Sequence, residues 1–253
     1  MIDLHSHVLP GVDDGAPDLE TSLAILRAAA EDGISAVAAT PHVRDDYPTT
    51  PETMERLVAD VNDAARAEGI GVEVLPGGEL DLEAAGELDD ATLRRFGLGG
   101  NPRVLLLEFP YYGWPLELRD LVFRLGTRGF EVVLAHPERS ADVQDAPERL
   151  RELVDAGVLV QLTAAAVDGR LGHRPAAASR ALLAAGLAHL IASDAHAPGV
   201  RAIGMTAAAE AVGDTALARW LTLDVPSAVL RDAPRPPRPA ARAQRRLRVP
   251  WRD

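Results

Sequence analysis

Two histidines separated by one residue stand near the start of the chain, in the segment Leu4-His5-Ser6-His7. Alternate residues of an extended strand point to the same side, so both imidazoles share one face if this segment is a strand. Imidazole nitrogen is a common ligand of Zn, Mn and Fe. Taken alone, the pair does not decide between metal binding and a structural role.

Other apolar runs of the chain also end in side chains that can bind a metal. Five of the seven histidines occupy such positions, whereas His173 and His189 do not and are interpreted as surface or structural residues. Carboxylates can bridge two ions, so a mixed histidine and carboxylate set suits two or three divalent metals. The candidate metal ligands are His5, His7, Asp14, His42, Glu79, Glu108, His136, Asp194 and His196.

The carboxylates in this set differ in how strongly each one indicates a metal. In isolation, Asp13-Asp14-Gly15 is typical of a turn or a helix cap. Glu108 and Asp194 stand within apolar segments, where an unpaired carboxylate would be costly to bury. The nine positions together predict a metal site that no single motif would establish.

Two arginines follow the predicted ligands closely. Arg139 ends the segment His136-Pro137-Glu138-Arg139, and Arg201 lies five residues after His196. A guanidinium beside metal cations is expected where an anionic substrate lies between them, and arginine binds phosphate in a bidentate manner. One such arginine alone would more often form a surface salt bridge, but the two together predict phosphate contact.

An aromatic cluster, Tyr111, Tyr112 and Trp114, follows Glu108 in a chain with only 4% aromatic residues. These rings could form a wall for an aromatic substrate group, or they could pack a loop bounded by prolines. The sequence leaves both interpretations open.

The chain of 253 residues contains no cysteine, and all of its 26 basic residues are arginine. Disulfides, thiolate catalysis and thiolate-held metals are therefore excluded. The absence of lysine also excludes Schiff-base chemistry. Any metal must be held by nitrogen and oxygen.

The elements that must position these residues form a repeating pattern of strand and helix. Short β-branched runs alternate with longer helical patterns, which is typical of βα units around a parallel sheet. The predicted strands are residues 2–7, 36–42, 72–80, 103–109, 131–136, 159–163 and 190–196. The predicted helices are residues 19–31, 51–68 with Thr50 as N-cap, 116–128, 147–156 and 175–185, with one or two more within 205–221.

Seven such repeats without a long linker favour an α/β barrel related to the TIM barrel, and an open doubly wound sheet is the alternative. The carboxyl ends of all strands share one face of a parallel barrel. The predicted ligands end strands that are far apart in sequence, so the barrel would bring them together.

Charge is distributed unevenly along the chain. The formal net charge of −12 argues against a nucleic-acid partner, and no apolar run suggests membrane insertion, so a cytoplasmic protein is expected. Residues 231–253, by contrast, contain eight arginines and two aspartates in proline-rich text. This segment is expected to be a mobile tail, either without a specific function or docking on an acidic protein or lipid surface.

Seven segments between residue 2 and about residue 230 match the motifs of a known superfamily. They are Ile2-Asp3-Leu4-His5-Ser6-His7-Val8-Leu9-Pro10-Gly11-Val12-Asp13-Asp14-Gly15, Ala39-Thr40-Pro41-His42, Gly77-Gly78-Glu79, Leu107-Glu108-Phe109-Pro110, His136-Pro137-Glu138-Arg139, Gln161-Leu162-Thr163 and Ile191-Ala192-Ser193-Asp194-Ala195-His196. On these segments the chain resembles the polymerase and histidinol phosphatase (PHP) superfamily, and more closely its bacterial protein-tyrosine phosphatases from capsule and exopolysaccharide clusters. One departure is Ala197, where the family often has asparagine.

The resemblance implies that residues 1–230 form a PHP metallophosphatase domain with a distorted TIM-like (β/α)7 barrel. It implies a trinuclear, usually manganese-dependent site that hydrolyses phosphotyrosine, typically on an autophosphorylating bacterial tyrosine kinase of polysaccharide export. Arg139 and Arg201 would bind the phosphate. One metal would be held by His5, His7, Glu79 and Asp194, a second by Glu79 as a bridge with Glu108 and His136, and a third by Asp14, His42 and His196.

Three other functions could use a similar set of residues. An amidohydrolase-type barrel also begins with His-x-His, but its common binuclear form needs a carboxylated lysine, which this chain cannot supply. A phosphatase for a small phosphomonoester such as histidinol phosphate remains open and would favour a closing lid over an open site. A noncatalytic PHP-like scaffold for a polymerase or kinase is the third alternative.

Overall fold

Parallel strands form the framework of the protein. The computed structural model describes residues 1–197, 199 and 201–240. Apart from one antiparallel hairpin between residues 42–44 and 47–48, neighbouring strands pair in parallel. The strands are β1 (Ile2–Ser6), β2 (Ala36–Ala39), β3 (His42–Arg44), β4 (Tyr47–Pro48), β5 (Glu73–Leu75), β6 (Glu79–Leu80), β7 (Val104–Glu108), β8 (Glu131–Ala135), β9 (Leu159–Thr163) and β10 (Leu190–Ala192).

The strands form a ring of seven positions. Their order is β1-β2-β5 in one sheet and β10-β9-β8-β7-β6-β3-β4 in the other, and the pairs β2/β3 and β5/β6 are successive parts of the same chain segments. At the remaining seam, His5 O accepts from Asp194 N and His7 N donates to Ala195 O, both at 2.8 Å. These hydrogen bonds link β1 to the segment after β10 without a continuous ladder. The predicted barrel-like architecture is confirmed.

Two predicted strands are interrupted, each for a local reason. Pro41 separates β2 from β3 because proline has no N–H to donate to a ladder. The Pro76-Gly77-Gly78 turn separates β5 from β6, and a Cβ at Gly78 would lie 2.7 Å from the Phe96 ring. Each interruption places a candidate ligand, His42 or Glu79, as the first residue of the strand that follows.

Helices cover the outside of the ring. Two begin as predicted, since Asp18 and Thr50 accept hydrogen bonds from Thr21 N and Thr53 N as N-caps. Residues 147–150 form a 3-10 turn, and residues 220–224 form a π-helical turn. The helices are α1 (Leu19–Glu31), α2 (Pro51–Ala67), α3 (Leu82–Glu87), α4 (Asp90–Arg95), α5 (Leu118–Thr127), α6 (Ala141–Asp145), α7 (Arg151–Asp155), α8 (Ala164–Val167), α9 (His173–Ala185), α10 (Met205–Val212), α11 (Thr215–Arg219) and α12 (Val225–Leu230).

The first part of the predicted tail, residues 231–240, makes contacts with the barrel. Arg238 donates to Leu183 O at 2.8 Å and Ala188 O at 2.7 Å, and its guanidinium lies 5.4 Å from the Trp220 ring centroid. Trp220 Nε1 also donates to Pro236 O at 2.9 Å. Arg238 thereby satisfies two carbonyl groups near the end of α9. These contacts attach the segment after α12 to the rest of the protein. Residues 241–253, which complete the predicted tail, lie outside the described residues.

Within the described part of the chain, no helix has the length and apolar character needed to span a membrane.

His189 is expected to make the stability of this fold depend on pH. Burial lowers its pKa to about 4, with the Arg238 charge adding to the effect, and its Nδ1 accepts a hydrogen bond from Val160 N at 3.1 Å. The folded pKa is thus below the ordinary value of 6.5. The stabilisation by neutral His189 is present above about pH 6.5 and is lost as the pH falls toward about 4, by up to about 1.4 kcal/mol per pH unit.

Urea unfolding of metal-free protein across this pH range measures the effect. His189→Asn should make the free energy of unfolding less dependent on pH, whereas His173→Asn, at the exposed start of α9, should leave the dependence unchanged. Equal pH dependence in wild type and His189→Asn would contradict the assignment.

Candidate metal centre

All nine predicted ligands come together at the carboxyl ends of the ring strands. His5 lies within β1 and His7 just after it, Glu108 ends β7, and His136 follows β8 directly. Donor atoms within 4.8 Å of one another define four overlapping groups. These groups are His5–Glu79–His136, His5–His7–Asp194, His42–Glu79–Glu108 and His7–Asp14–His42–His196.

Glu79 lies at the centre of the cluster, and its side chain is fully buried. Its Oε2 is 3.4 Å from His5 Nε2, 3.3 Å from His7 Nε2 and 3.1 Å from His42 Nδ1. Its Oε1 is 2.9 Å from His136 Nε2. Because Glu79 belongs to two of the four groups, it has the position expected of a bridging carboxylate.

Asp14 lies at the open side of the cluster, where 40% of its side chain is exposed. Its Oδ1 is 3.3 Å from His42 Nε2 and 3.2 Å from His196 Nε2, and the His196 ring lies 3.9 Å from the His7 ring between centroids. The Asp13-Asp14-Gly15 segment therefore contributes to the cluster and is more than a turn.

The grouping by distance differs in two respects from the set that the resemblance implied. His136 lies beside His5 and Glu79, whereas Glu108 lies beside His42, at 3.7 Å from its Nδ1. His7 also faces the group that contains Asp14 and His196.

The donor atoms fit divalent cations. Glu79 Oε2, His42 Nδ1 and His196 Nε2 are buried and make no hydrogen bond within the described part of the chain. Ligands at about 2.0–2.2 Å from one metal lie about 3.0–3.5 Å from each other, which is the range of most distances around Glu79. Buried polar atoms without a hydrogen bond are rare, so their occurrence in two adjoining groups that share His42 indicates cation sites.

Electrostatics keep the central carboxylates ionised. Burial would raise the pKa of Glu79, but the imidazoles of His5, His136 and His42 outweigh it and hold the pKa well below its usual range. The same balance, with His5 and His7 as the main partners, lowers the pKa of Asp194. Burial lowers the pKa of His136 below its ordinary value and favours the neutral imidazole that binds metals.

Two of the predicted ligands have a strained backbone. His136 has φ 37° and Asp194 has φ 53°, both in the left-handed region that residues other than glycine rarely adopt. Such strain costs about 1–3 kcal/mol and occurs preferentially at functional sites. Here the left-handed conformation directs each side chain from the end of its strand toward the cluster.

Asp13 and Gln161 support the ligands without belonging to the predicted set. Asp13 Oδ2 is 2.7 Å from His7 Nδ1 and accepts from His42 N at 3.1 Å, while Gln161 Oε1 is 3.0 Å from His5 Nδ1. Such partners orient metal-binding imidazoles. Sequence reasoning missed these roles, although both residues lie in the motifs quoted above, because contacts between strands cannot be read from one segment.

The two predicted phosphate-binding arginines both contact Asp194. Arg139 Nη1 donates to its Oδ2 at 2.6 Å, and Arg201 Nη2 is 3.2 Å from both of its oxygens. Both guanidinium groups are partly exposed beside the cluster. Arg44, which sequence reasoning missed, donates from Nη1 to both oxygens of Glu108 at 2.9 and 3.1 Å.

The aromatic cluster divides between the two predicted roles. Tyr111 stacks beside His136 with ring centroids 5.8 Å apart, and the Arg139 guanidinium lies 4.7 Å from its ring centroid. Tyr112 is 85% exposed, whereas Trp114 packs edge-on against Phe109. Tyr111 therefore flanks the site, and Trp114 packs the loop.

An open groove of about 510 Å³ begins at Tyr111 and Arg139 and runs away from the cluster. Its walls are formed by Tyr111, Tyr112, Arg139, Ala141, Gln144, Leu171, Arg174 and Pro175. A larger groove of about 720 Å³ lies between α3 and α5, and neither a predicted metal ligand nor a predicted phosphate-binding arginine lines it. Of these two grooves, the first adjoins the cluster, because Arg139 in its wall contacts Asp194.

Comparison with solved structures places the fold among metal-dependent phosphatases. A crystal structure from a study of YwqE from Bacillus subtilis and CpsB from Streptococcus pneumoniae, described as unique metal-dependent tyrosine phosphatases, superposes with a TM-score of 0.86. It is 31% identical and covers 96% of this chain and all of the other. A β-aspartyl dipeptidase from Fervidobacterium islandicum, 13% identical with a TM-score of 0.55 over 90% of this chain and 74% of its own, shares the fold alone.

Sequence comparison gives the same relatives. The tyrosine-protein phosphatase YwqE of Bacillus subtilis is 36% identical over 197 residues, which are 78% of this chain and 77% of YwqE. The tyrosine-protein phosphatase CpsB of Streptococcus agalactiae serotype III is 28% identical over 79% of this chain and 85% of its own. The profile of the family "Capsular polysaccharide synthesis, CpsB/CapC" matches residues 1–231. The chain therefore belongs to the CpsB/CapC family of capsular polysaccharide synthesis.

Proposed function

We propose that the protein is a metal-dependent protein-tyrosine phosphatase. The observation that carries the proposal is the clustering of nine nitrogen- and oxygen-bearing side chains, with buried Glu79 at their centre, beside the partly exposed guanidinium groups of Arg139 and Arg201. The family and the activity of its relatives YwqE and CpsB support the same activity. Residues 1–230 form the catalytic domain in this proposal.

The clustered residues would hold two or three divalent cations, with manganese as the first candidate and iron or zinc as alternatives. Glu79 would bridge two of them, and the imidazole nitrogens together with the ionised carboxylates match the ligand preferences of these metals. When bound, such cations supply Lewis acidity toward phosphoryl oxygens and lower the pKa of a coordinated water.

Arg139 and Arg201 would orient the phosphate. Each already donates to Asp194, so their guanidinium groups are held at the edge of the cluster before substrate arrives. The remaining N–H donors of each fork can bind phosphoryl oxygens in the bidentate geometry that arginine favours. A phenol has a pKa of about 10 and leaves with less proton assistance than an aliphatic alcohol, so the proposal assigns no general acid.

The open groove favours a protein substrate over a small metabolite. A phosphotyrosine bound at the cluster would extend along Tyr111, and the rest of the peptide could lie in the groove beside Tyr112. A phosphatase for histidinol phosphate would be expected to enclose its substrate.

The substrate we propose is the phosphotyrosine of a bacterial tyrosine kinase that regulates polysaccharide synthesis or export, in the cytoplasm. The family description, capsular polysaccharide synthesis, supports this partner. The basic segment after residue 230 would then assist docking on an acidic surface of the partner.

Removal of metal should abolish the activity, and Glu79→Gln should reduce it strongly. Loss of one charge at the bridging position weakens binding of two cations at once, so we expect kcat/KM for p-nitrophenyl phosphate to fall by more than about 100-fold. Dialysis against EDTA, followed by addition of Mn²⁺, should restore wild type fully but not the variant. Glu83→Gln on the exposed surface of α3 is the matched control and should retain wild-type kinetics. Full activity of metal-free wild type would contradict the proposal.

Arg139→Ala and Arg201→Ala should each lower kcat/KM by about 100-fold or more, because each removes donors aimed at the phosphoryl group. Arg139→Lys should recover only part of the loss, since lysine keeps the charge but not the bidentate fork. Steady-state kinetics with p-nitrophenyl phosphate test this, with exposed Arg56→Ala as the control. Wild-type kcat/KM in both alanine variants would show that the arginines only form salt bridges.

A direct comparison of substrates decides among the remaining functions. We expect kcat/KM with Mn²⁺ to be higher for a phosphotyrosyl peptide than for histidinol phosphate, because the open groove can accommodate the peptide. A clear preference for histidinol phosphate would reassign the protein as a small-molecule phosphatase. No metal by elemental analysis and no activity with either substrate would favour the noncatalytic scaffold.

A further inference from the structure

Gln161 is a fully buried amide in the middle of β9 that serves two candidate ligands with one oxygen atom. Its Oε1 lies 3.0 Å from His5 Nδ1 and accepts a hydrogen bond from His136 N at 3.2 Å. His5 belongs to β1 and His136 follows β8, so this oxygen joins two ligands that come from different strands of the ring.

The backbone of His136 fixes the orientation of this amide. A backbone N–H can only donate, so the atom of Gln161 that faces it must be the oxygen and not the NH₂ group. The same hydrogen bond holds His136 in its left-handed conformation at φ 37°.

The orientation of the amide in turn fixes how His5 presents its ring. Because Gln161 Oε1 is an acceptor, His5 Nδ1 must carry the hydrogen of this contact. Its Nε2 is then the nitrogen left for a cation, and it points at Glu79 Oε2 and Asp194 Oδ1, 3.4 and 3.5 Å away.

The arrangement has a cost that folding alone does not explain. Gln161 Nε2 is buried and has no hydrogen-bond partner within the described part of the chain. An apolar side chain of similar size would avoid that unsatisfied donor. A buried glutamine is better explained by what its oxygen does for the two histidines.

We infer that Gln161 is a positioning residue of the metal centre, which selects the Nδ1–H tautomer of His5 and holds His136 in its strained conformation through a single shared acceptor. The inference rests on the proposed metal centre and concerns affinity for the cation, separately from catalysis.

Titration of the metal-free full-length chain with Mn²⁺ alone, followed by calorimetry, tests this role without any substrate. Gln161→Met keeps the size of the side chain but removes the acceptor, and we expect Mn²⁺ affinity to fall about 10- to 100-fold. Gln161→Glu should retain wild-type affinity or bind more tightly, because a carboxylate accepts the same two hydrogen bonds and is a common partner of metal-bound histidine.

Asn101→Leu is the matched control for loss of a buried amide. Asn101 donates to Val229 O at 2.7 Å and accepts from Arg103 N at 3.0 Å, so its loss should lower the Tm but leave Mn²⁺ affinity unchanged. Wild-type affinity in Gln161→Met, or affinity in Gln161→Glu as weak as in Gln161→Met, would overturn the positioning role. If wild type bound none of Mn²⁺, Fe²⁺ and Zn²⁺ in this titration, the metal centre itself would be overturned, and this inference with it.

Discussion

The buried carboxylate of Glu79 is the constraint on which the arrangement of the site depends. A carboxylate removed from water carries a desolvation cost of several kcal/mol unless groups of opposite charge or hydrogen-bond donors compensate it. Here the compensation comes from His5, His7, His42 and His136, which all approach within 3.4 Å. Since these residues come from three different parts of the ring, at β1, β3 and the end of β8, the cluster forms only when the ring of strands is complete.

The same constraint explains features that would be unfavourable elsewhere. The left-handed backbone at His136 and Asp194 lies in the cluster, and so do several buried atoms without a hydrogen bond, those of Glu79, His42 and His196 among them. Strain and unsatisfied donors are tolerated where a functional group must face a fixed direction. Asp13, Gln161 and Arg44 hold three of the candidate ligands in place through contacts with their side chains. These ligands are His7, His5 and Glu108, respectively.

The site combines a preorganised cationic edge with an open approach. Asp194 links the cluster to both Arg139 and Arg201, so the donors for an anion are placed by a candidate metal ligand. The adjoining groove leaves room for a chain on one side. This combination suits a phosphoryl group presented on a polypeptide, as in the tyrosine phosphatases to which the chain is similar.

The sequence by itself determined the local elements and the kinds of atoms available for chemistry. The repeat of strand and helix and the strand-end histidines could be read from period and residue type, and α1 has the bounds predicted for it. Short helices such as α3 and α8 were missed because four to six residues are too few to show a period. The aromatic cluster could not be divided into site and packing residues from its spacing.

Only the tertiary structure decided which donors meet. The grouping of His136 with His5, the contact of Arg44 with Glu108 and the shared oxygen of Gln161 join segments that are 25 to 156 residues apart. The period and composition of a segment indicate which of its residues face the protein core. They do not indicate the register and tilt that bring two elements together. Those depend on packing over the whole ring, and so the candidate ligands could be predicted from the sequence while their partners could not.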